Sequence, residues 1–207
     1  MHVATMRFRF GLSALSAVGA VARASLTLAT LASFAAYAPP ARALEREHHV
    51  GLDAGLSMLK IDDKSTMSVC CGLGGHYVYG LSDVFNFMAE GAFSAVSFKE
   101  QIVEAEKTPH TRPTTVSHVS AGVAYVLDVL TYVPYAGILV GGYALGGGTL
   151  DKTLYLPGAE VALGLDYKLS RKWTVGLAGR QTIFLAKTST YPSYTNVFVR
   201  FEYVWGW

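Results

Sequence analysis

Long apolar runs are scarce in this chain of 207 residues, and so are charges and cysteines. After the N-terminal segment no stretch reaches the ~18 uninterrupted apolar residues of a spanning helix. Asp, Glu, Lys and Arg make up 15% of the chain, whereas a soluble globular domain carries closer to about a quarter. Net charge is only +2 and no Lys/Arg run occurs, so an electrostatic footprint for nucleic acid is excluded. The two cysteines, Cys70 and Cys71, are neighbours. On a strand they point to opposite faces, which leaves no easy intrachain disulfide. No metal-ligand spacing occurs either, so no metal, cofactor-binding or redox role is implied and both thiols read as small buried side chains.

What remains is apolar but interrupted. Hydrophobic residues form 51% of the chain, mean hydropathy is +0.31, and glycine is common at 21. A hydrophobic chain without membrane helices either hides an unusually large core or closes into a barrel, because backbone groups in lipid must be paired.

Residues 1–43 read as a signal peptide and 44–207 as one barrel domain. Arg7 and Arg9 precede an Ala/Leu-rich run that Arg23 interrupts, leaving 24–38 as the hydrophobic region. That is too short to span a bilayer and suits an export signal. Ala41-Arg42-Ala43 supplies the small-x-small cleavage pattern, so Leu44 is the expected mature start. Ala36-Tyr37-Ala38 is a second candidate, made poorer by Pro39.

From His49 onward the hydrophobic period is two, which predicts eight strands. The first sets Val50, Leu52, Ala54, Leu56 and Met58 against Gly51, Asp53, Gly55 and Ser57. The second (68–79) opposes Val69, Cys71, Leu73, Tyr77 and Tyr79 to Cys70, Gly72, Gly74 and His76. The third (84–98) opposes Phe85, Phe87 and Phe93 to Asn86, Met88, Glu90 and Ser94. The fourth (115–128) opposes Val119, Val123 and Tyr125 to His118, Ser120 and Gly122. In the fifth (132–146) the apolar set is Val133, Tyr135, Leu139, Tyr143 and Leu145, against Ala136, Gly142 and Ala144. The sixth (159–169) opposes Val161, Leu163, Leu165 and Tyr167 to Glu160, Gly164, Asp166 and Lys168. The seventh (173–186) opposes Trp173, Val175, Leu177 and Ile183 to Thr174, Gly176 and Arg180. The eighth (194–207) opposes Val197, Val199, Phe201, Tyr203, Trp205 and Trp207 to Arg200 and Glu202.

Connections alternate in length. Tight turns are predicted at 80–83, 128–130 and 170–172, and longer polar loops at 60–67, 99–114, 147–158 and 187–193. This is the plan of outer-membrane barrels, and an even strand count returns both termini to the periplasmic side. Alternation alone does not say which face meets lipid. Glycine decides: Gly51, Gly55, Gly72, Gly74, Gly122, Gly142, Gly164 and Gly176 fall on the polar face. On a solvated surface they would only weaken strands, whereas in a narrow barrel they leave room for long side chains. Tyr77, Tyr79, Phe85, Tyr167, Trp173, Tyr203, Trp205 and Trp207 gather on the apolar face near the short turns, as an interfacial girdle does.

The terminal strand Val197-x-Val199-x-Phe201-x-Tyr203-x-Trp205-x-Trp207 resembles that of the small outer-membrane β-barrel family, of the OmpA transmembrane domain, OmpX and OmpW kind. Val133-Pro134-Tyr135-Ala136-Gly137 and Leu165-Asp166-Tyr167 resemble its recurring barrel segments, and the likeness covers 49–207. It implies an all-β, eight-stranded antiparallel up-and-down transmembrane barrel in the bacterial outer membrane, in contact with its lipid. It also implies that Phe201, Tyr203, Trp205 and Trp207 form a signal read by the barrel assembly machinery during insertion. The unit is expected to be a monomer.

Glu90, Glu160, Arg180 and Arg200 fall on the lumen face near mid-height. Charges in a narrow lumen must be paired or hydrated, so an internal Glu/Arg network plugging the pore is expected, with Asp53, Asp166, Lys168 and Glu202 lower. His118-Val119-Ser120 resembles the His-x-Ser pair of outer-membrane lipid A deacylases. It lacks the Asn after Ser, faces the lumen by parity and has no evident orienting group. No catalytic residue is therefore assigned, and the chain is not expected to be an enzyme. A structural envelope protein with a largely plugged lumen, making surface contacts through its long loops, is the function these residues suggest. A narrow passive channel for small solutes and a lipid A-modifying enzyme are the alternatives.

Overall fold

A computed structural model describes residues 46–61, 68–96, 112–128 and 131–206. The chain forms strands β1 (His48–Lys60), β2 (Ser68–Gly80), β3 (Phe85–Ala95), β4 (Thr115–Val126), β5 (Tyr132–Gly146), β6 (Leu154–Lys168), β7 (Trp173–Phe184) and β8 (Ser193–Trp205). Each pairs antiparallel with the next, and β8 pairs with β1, so the sheet closes without an edge. His48 lies opposite Trp205, which puts both described ends of the chain at the short-turn rim. The expected signal segment with Ala41 and Ala43, most of the 99–114 loop, and Trp207 lie outside the described residues.

Two of the tight turns are built alike. The hydroxyl of Ser82 accepts the amide of Phe85 at 3.1 Å, and that of Ser170 accepts the amide of Trp173 at 3.2 Å. At the other rim Gly147 and Gly148 take φ of 71° and 63°, where an L side chain would be strained, to bring the chain from β5 toward β6. β6 begins at Leu154, five residues before the expected start, so the preceding loop is correspondingly shorter than 147–158.

The apolar face points outward. Leu52 is 73% exposed, Val119 68% and Leu163 57%, whereas Glu90 is 7% and Arg180 2% exposed. Such a band is stable only against hydrocarbon. The aromatic rim is dense: Trp173 stacks on Phe201 (4.9 Å between centroids), Tyr203 on Trp205 (6.0 Å) and Trp205 on His48 (5.4 Å).

One strand and one thiol depart from the sequence reading, the thiol being Cys71, which is exposed on the outer face and not buried. On β5 the larger apolar set, Val133, Tyr135, Leu139, Tyr143 and Leu145, is buried in the lumen, while Ile138 and Val140 are about two-thirds exposed at 65% and 64%. Gly142 accordingly faces out, not in, and lies opposite Pro157 beside a shallow outer groove of about 470 Å³. The reason is volume. Tyr135 lies opposite Gly164, where an added Cβ would sit 2.3 Å from its ring, and a Cβ at Gly158 would sit 2.6 Å from the ring of Tyr143. β5 supplies the long side chains for space that its neighbours leave empty, and a strand apolar on both faces gives alternation no sign to read.

Candidate functional site

Three layers fill the lumen from the short turns toward the long loops. The first is a small cavity of about 30 Å³, lined among others by His49, Asn86, Tyr135, Lys168, Thr174 and Arg200, which is room for water. The second holds the charges. The third is an apolar cap in which Leu59, Val116, Tyr143, Leu145, Phe184 and Tyr194 are all at or below 1% exposure.

Parity brings the four predicted charges inside, and register sorts them into two clusters. Around Arg200 stand Glu202 (2.8 Å), Asp53 (3.5 Å) and Asp166 (3.7 Å). The guanidinium also donates to the Tyr135 hydroxyl and lies 5.1 Å from that ring's centroid. His76 completes this cluster: its Nδ1 is 2.9 Å from Asp53 and its Nε2 2.9 Å from Glu202. Only a doubly protonated imidazole donates on both sides at once. His49 approaches the second oxygen of Glu202 at 3.0 Å. A Cβ at Gly51 would collide with His76, which is why the facing residue of β1 is glycine.

The second cluster surrounds Arg180. Its guanidinium is 2.5 Å from Glu90, 3.6 Å from Asp53 and 3.7 Å from Glu160, and it lies over the ring of Phe198 at 5.6 Å. Asp53 is therefore shared by both arginines. Glu160 accepts hydrogen bonds at one oxygen from Tyr143 (2.9 Å) and Thr182 (3.3 Å). His118 stacks on Tyr143 at 5.1 Å and turns Nε2 toward Glu90 at 3.5 Å. Above it, Ser57, Ser94 and Tyr194 form a hydroxyl chain under the cap, with links of 2.7 and 2.8 Å.

His49, His76, Tyr135 and Tyr143 belong to this site and were not singled out from sequence. Parity already put His76 on the lumen face, but which rows meet depends on register. Tyr135 and Tyr143 were masked by the wrong facing of β5. His118 and Ser120 are both buried, and neither His118 nitrogen nor the Ser120 hydroxyl has a hydrogen-bond partner, so the two do not form a base and nucleophile pair. Lys168 pairs with Asp128 (2.8 Å) at the short-turn rim and lines the same small cavity as Arg200.

No family model matches the chain, and no curated protein matches it. Solved structures do. Neisserial surface protein A superposes with a TM-score of 0.57 at 13% identity, covering 77% of this chain and 97% of its own. Ail, the attachment invasion locus protein of Yersinia pestis, gives 0.54 at 11%, covering 78% and 100%. The N-terminal barrel domain of Pseudomonas aeruginosa OprF gives 0.54 at 10%, covering 78% and 98%. At these identities the likeness is one of architecture: the chain has the fold of the small eight-stranded outer-membrane β-barrels.

Proposed function

We propose that this chain is a structural outer-membrane protein, inserted with both termini on the periplasmic side, whose lumen is closed to solutes. The observation that carries the reading is the stacking of the apolar cap directly on the arginine clusters. Side chains of Leu59, Tyr143, Leu145, Phe184 and Tyr194 meet across the barrel with almost no exposed surface. An ion entering from the short-turn side would meet buried, paired charges and then a dry layer, which is costly to cross. The outward row Phe201, Tyr203 and Trp205 suits a terminal strand handed over during assembly, and the apolar band suits lipid as the barrel's main partner. The similar structures include an attachment invasion locus protein, and long loops on one rim give this chain the same opportunity for surface contacts.

Single-channel recording in planar bilayers tests the closure. The purified barrel should show no steady conductance, and paired removal of cap side chains (Tyr143→Ala with Phe184→Ala) should introduce one. Steady conductance of the unaltered protein would overturn the reading. One observation favours a second reading, a salt-bridge gate: Arg180 has three carboxylates within 3.7 Å and so can exchange partners. In that case Arg180→Ala alone would change the rate of brief openings. An enzymatic role has no such support, because His118 and Ser120 are sealed inside the barrel and unbonded to each other.

A further inference from the structure

We propose that Glu90, His118 and Glu160 form a binding site for a divalent transition-metal ion, zinc or a close chemical equivalent, in the half of the lumen nearer the long loops. One donor atom from each of the three residues lies within 4.8 Å of the other two, and all three residues are buried. They come from β3, β4 and β6, so the site exists only in the closed barrel and leaves no spacing signature in the sequence. This inference does not depend on the lumen being closed to solutes.

The arrangement of bonds around the three donors is that of a cation site. Glu160 has one oxygen occupied by Tyr143 and Thr182, while its other, Oε1, has no hydrogen bond. Glu90 has one oxygen against Arg180 at 2.5 Å, and its other faces His118 Nε2 at 3.5 Å, beyond a good hydrogen bond. His118 is only 4% exposed, and both of its ring nitrogens lack a hydrogen-bond partner. Each carboxylate thus has one oxygen held closely by the protein and another with only a long contact, Glu160 Oε1 to Arg180 at 3.7 Å and Glu90 Oε1 to His118 at 3.5 Å, which is how ligands are oriented around an ion. The imidazole is fixed instead by stacking on Tyr143 (5.1 Å) and edge contact with Tyr194 (6.0 Å).

Charge agrees. Two carboxylates face one guanidinium here, and the nearest additional acid, Asp53, is already shared with His76 and Arg200. That leaves one excess negative charge, which a divalent ion would more than cover. One imidazole with two carboxylates suits zinc-like ions rather than calcium or magnesium, which take oxygen donors and more of them. Tetrahedral bonds of about 2.0–2.2 Å set donors about 3.4 Å apart, so the three would draw in by roughly an ångström around the ion. Ser120 lies opposite Glu90 in register and is buried with its hydroxyl unbonded.

The test folds the full barrel from urea into detergent micelles with zinc present or absent, removes free metal by dialysis against a mild chelator, and counts bound zinc by elemental analysis. The same preparation with Co²⁺ reports coordination through its visible absorption. The expected result is one zinc per barrel, a tetrahedral cobalt spectrum, and a higher temperature for the heat-dependent gel-mobility shift when zinc is bound. His118→Phe, which keeps the stacking ring, and Glu160→Gln should each fold, judged by that mobility shift, and lose the metal. Tyr143→Phe should weaken binding by about tenfold through the lost outer hydrogen bond. Should those variants fail to fold, cobalt spectra of the unaltered barrel still decide the question. No retained metal, a spectrum without nitrogen ligation, or zinc that persists in folded His118→Phe would overturn the proposal.

Discussion

Arg180 and Arg200 project from neighbouring strands into one narrow lumen, yet their surroundings are finished to different degrees. Arg200 is enclosed by three carboxylates, a tyrosine hydroxyl and a ring face, and His76 ties two of those carboxylates together. Arg180 likewise has three carboxylates, at 2.5, 3.6 and 3.7 Å, and a ring face, but the histidine beside it makes no hydrogen bond. Each guanidinium keeps its Nε and one terminal nitrogen without a hydrogen bond, so the clusters differ in their histidines: His76 bridges two carboxylates below, and His118 bridges none above. In a low-dielectric interior a network tied together by a bridging histidine and one without such a tie differ in what removal of a member costs.

The largest effect should come from Arg200→Leu, which strands Glu202, Asp53 and Asp166. We expect a loss of about 3–5 kcal/mol in urea unfolding from detergent micelles. Arg180→Leu should cost less, about 1–3 kcal/mol, because Glu160 keeps its hydrogen bonds from Tyr143 and Thr182 and Asp53 keeps His76 and Arg200. Equal losses for the two arginines would break the comparison. Gly164→Val should fall in a similar range, about 1–3 kcal/mol, by forcing Tyr135 off Arg200. Tyr135→Phe should be the mildest, about 1 kcal/mol for one hydrogen bond to a charged group. If Gly164→Val costs no more than Tyr135→Phe, the glycine is not making room for the ring.

Much of this was legible before any coordinates. Alternation from Val50 to Met58 or from Val197 to Trp205 is unambiguous, and strands with Asp53, Glu90 or Arg200 on one face have a polar side to turn inward. Gly51, Gly164 and Gly176 on that side announce a crowded interior. β5 was not legible, because Ile138 and Val140 are as apolar as Leu139 and Tyr143, so its facing is set by the volume that Gly158 and Gly164 leave in β6. The internal network was foreseeable as a set of residues but not as two clusters. Pairings such as His76 with Asp53 and Glu202 depend on closure of β1 against both β2 and β8, which no local pattern encodes. The convergence of Glu90, His118 and Glu160 was invisible because it depends on the register of β3 with β4 and on β6 facing them across the lumen.

The central claim is that hydrocarbon covers the apolar side of every strand, β5 included. It is tested most directly by single cysteines at Leu52, Ile138 and Leu163 in a chain with Cys70→Ala and Cys71→Ala, each carrying a fluorophore, in vesicles of lipids brominated along the acyl chains. All three labels should be strongly quenched by the bromolipid and untouched by aqueous iodide. Iodide quenching without bromolipid quenching at these positions would contradict the account.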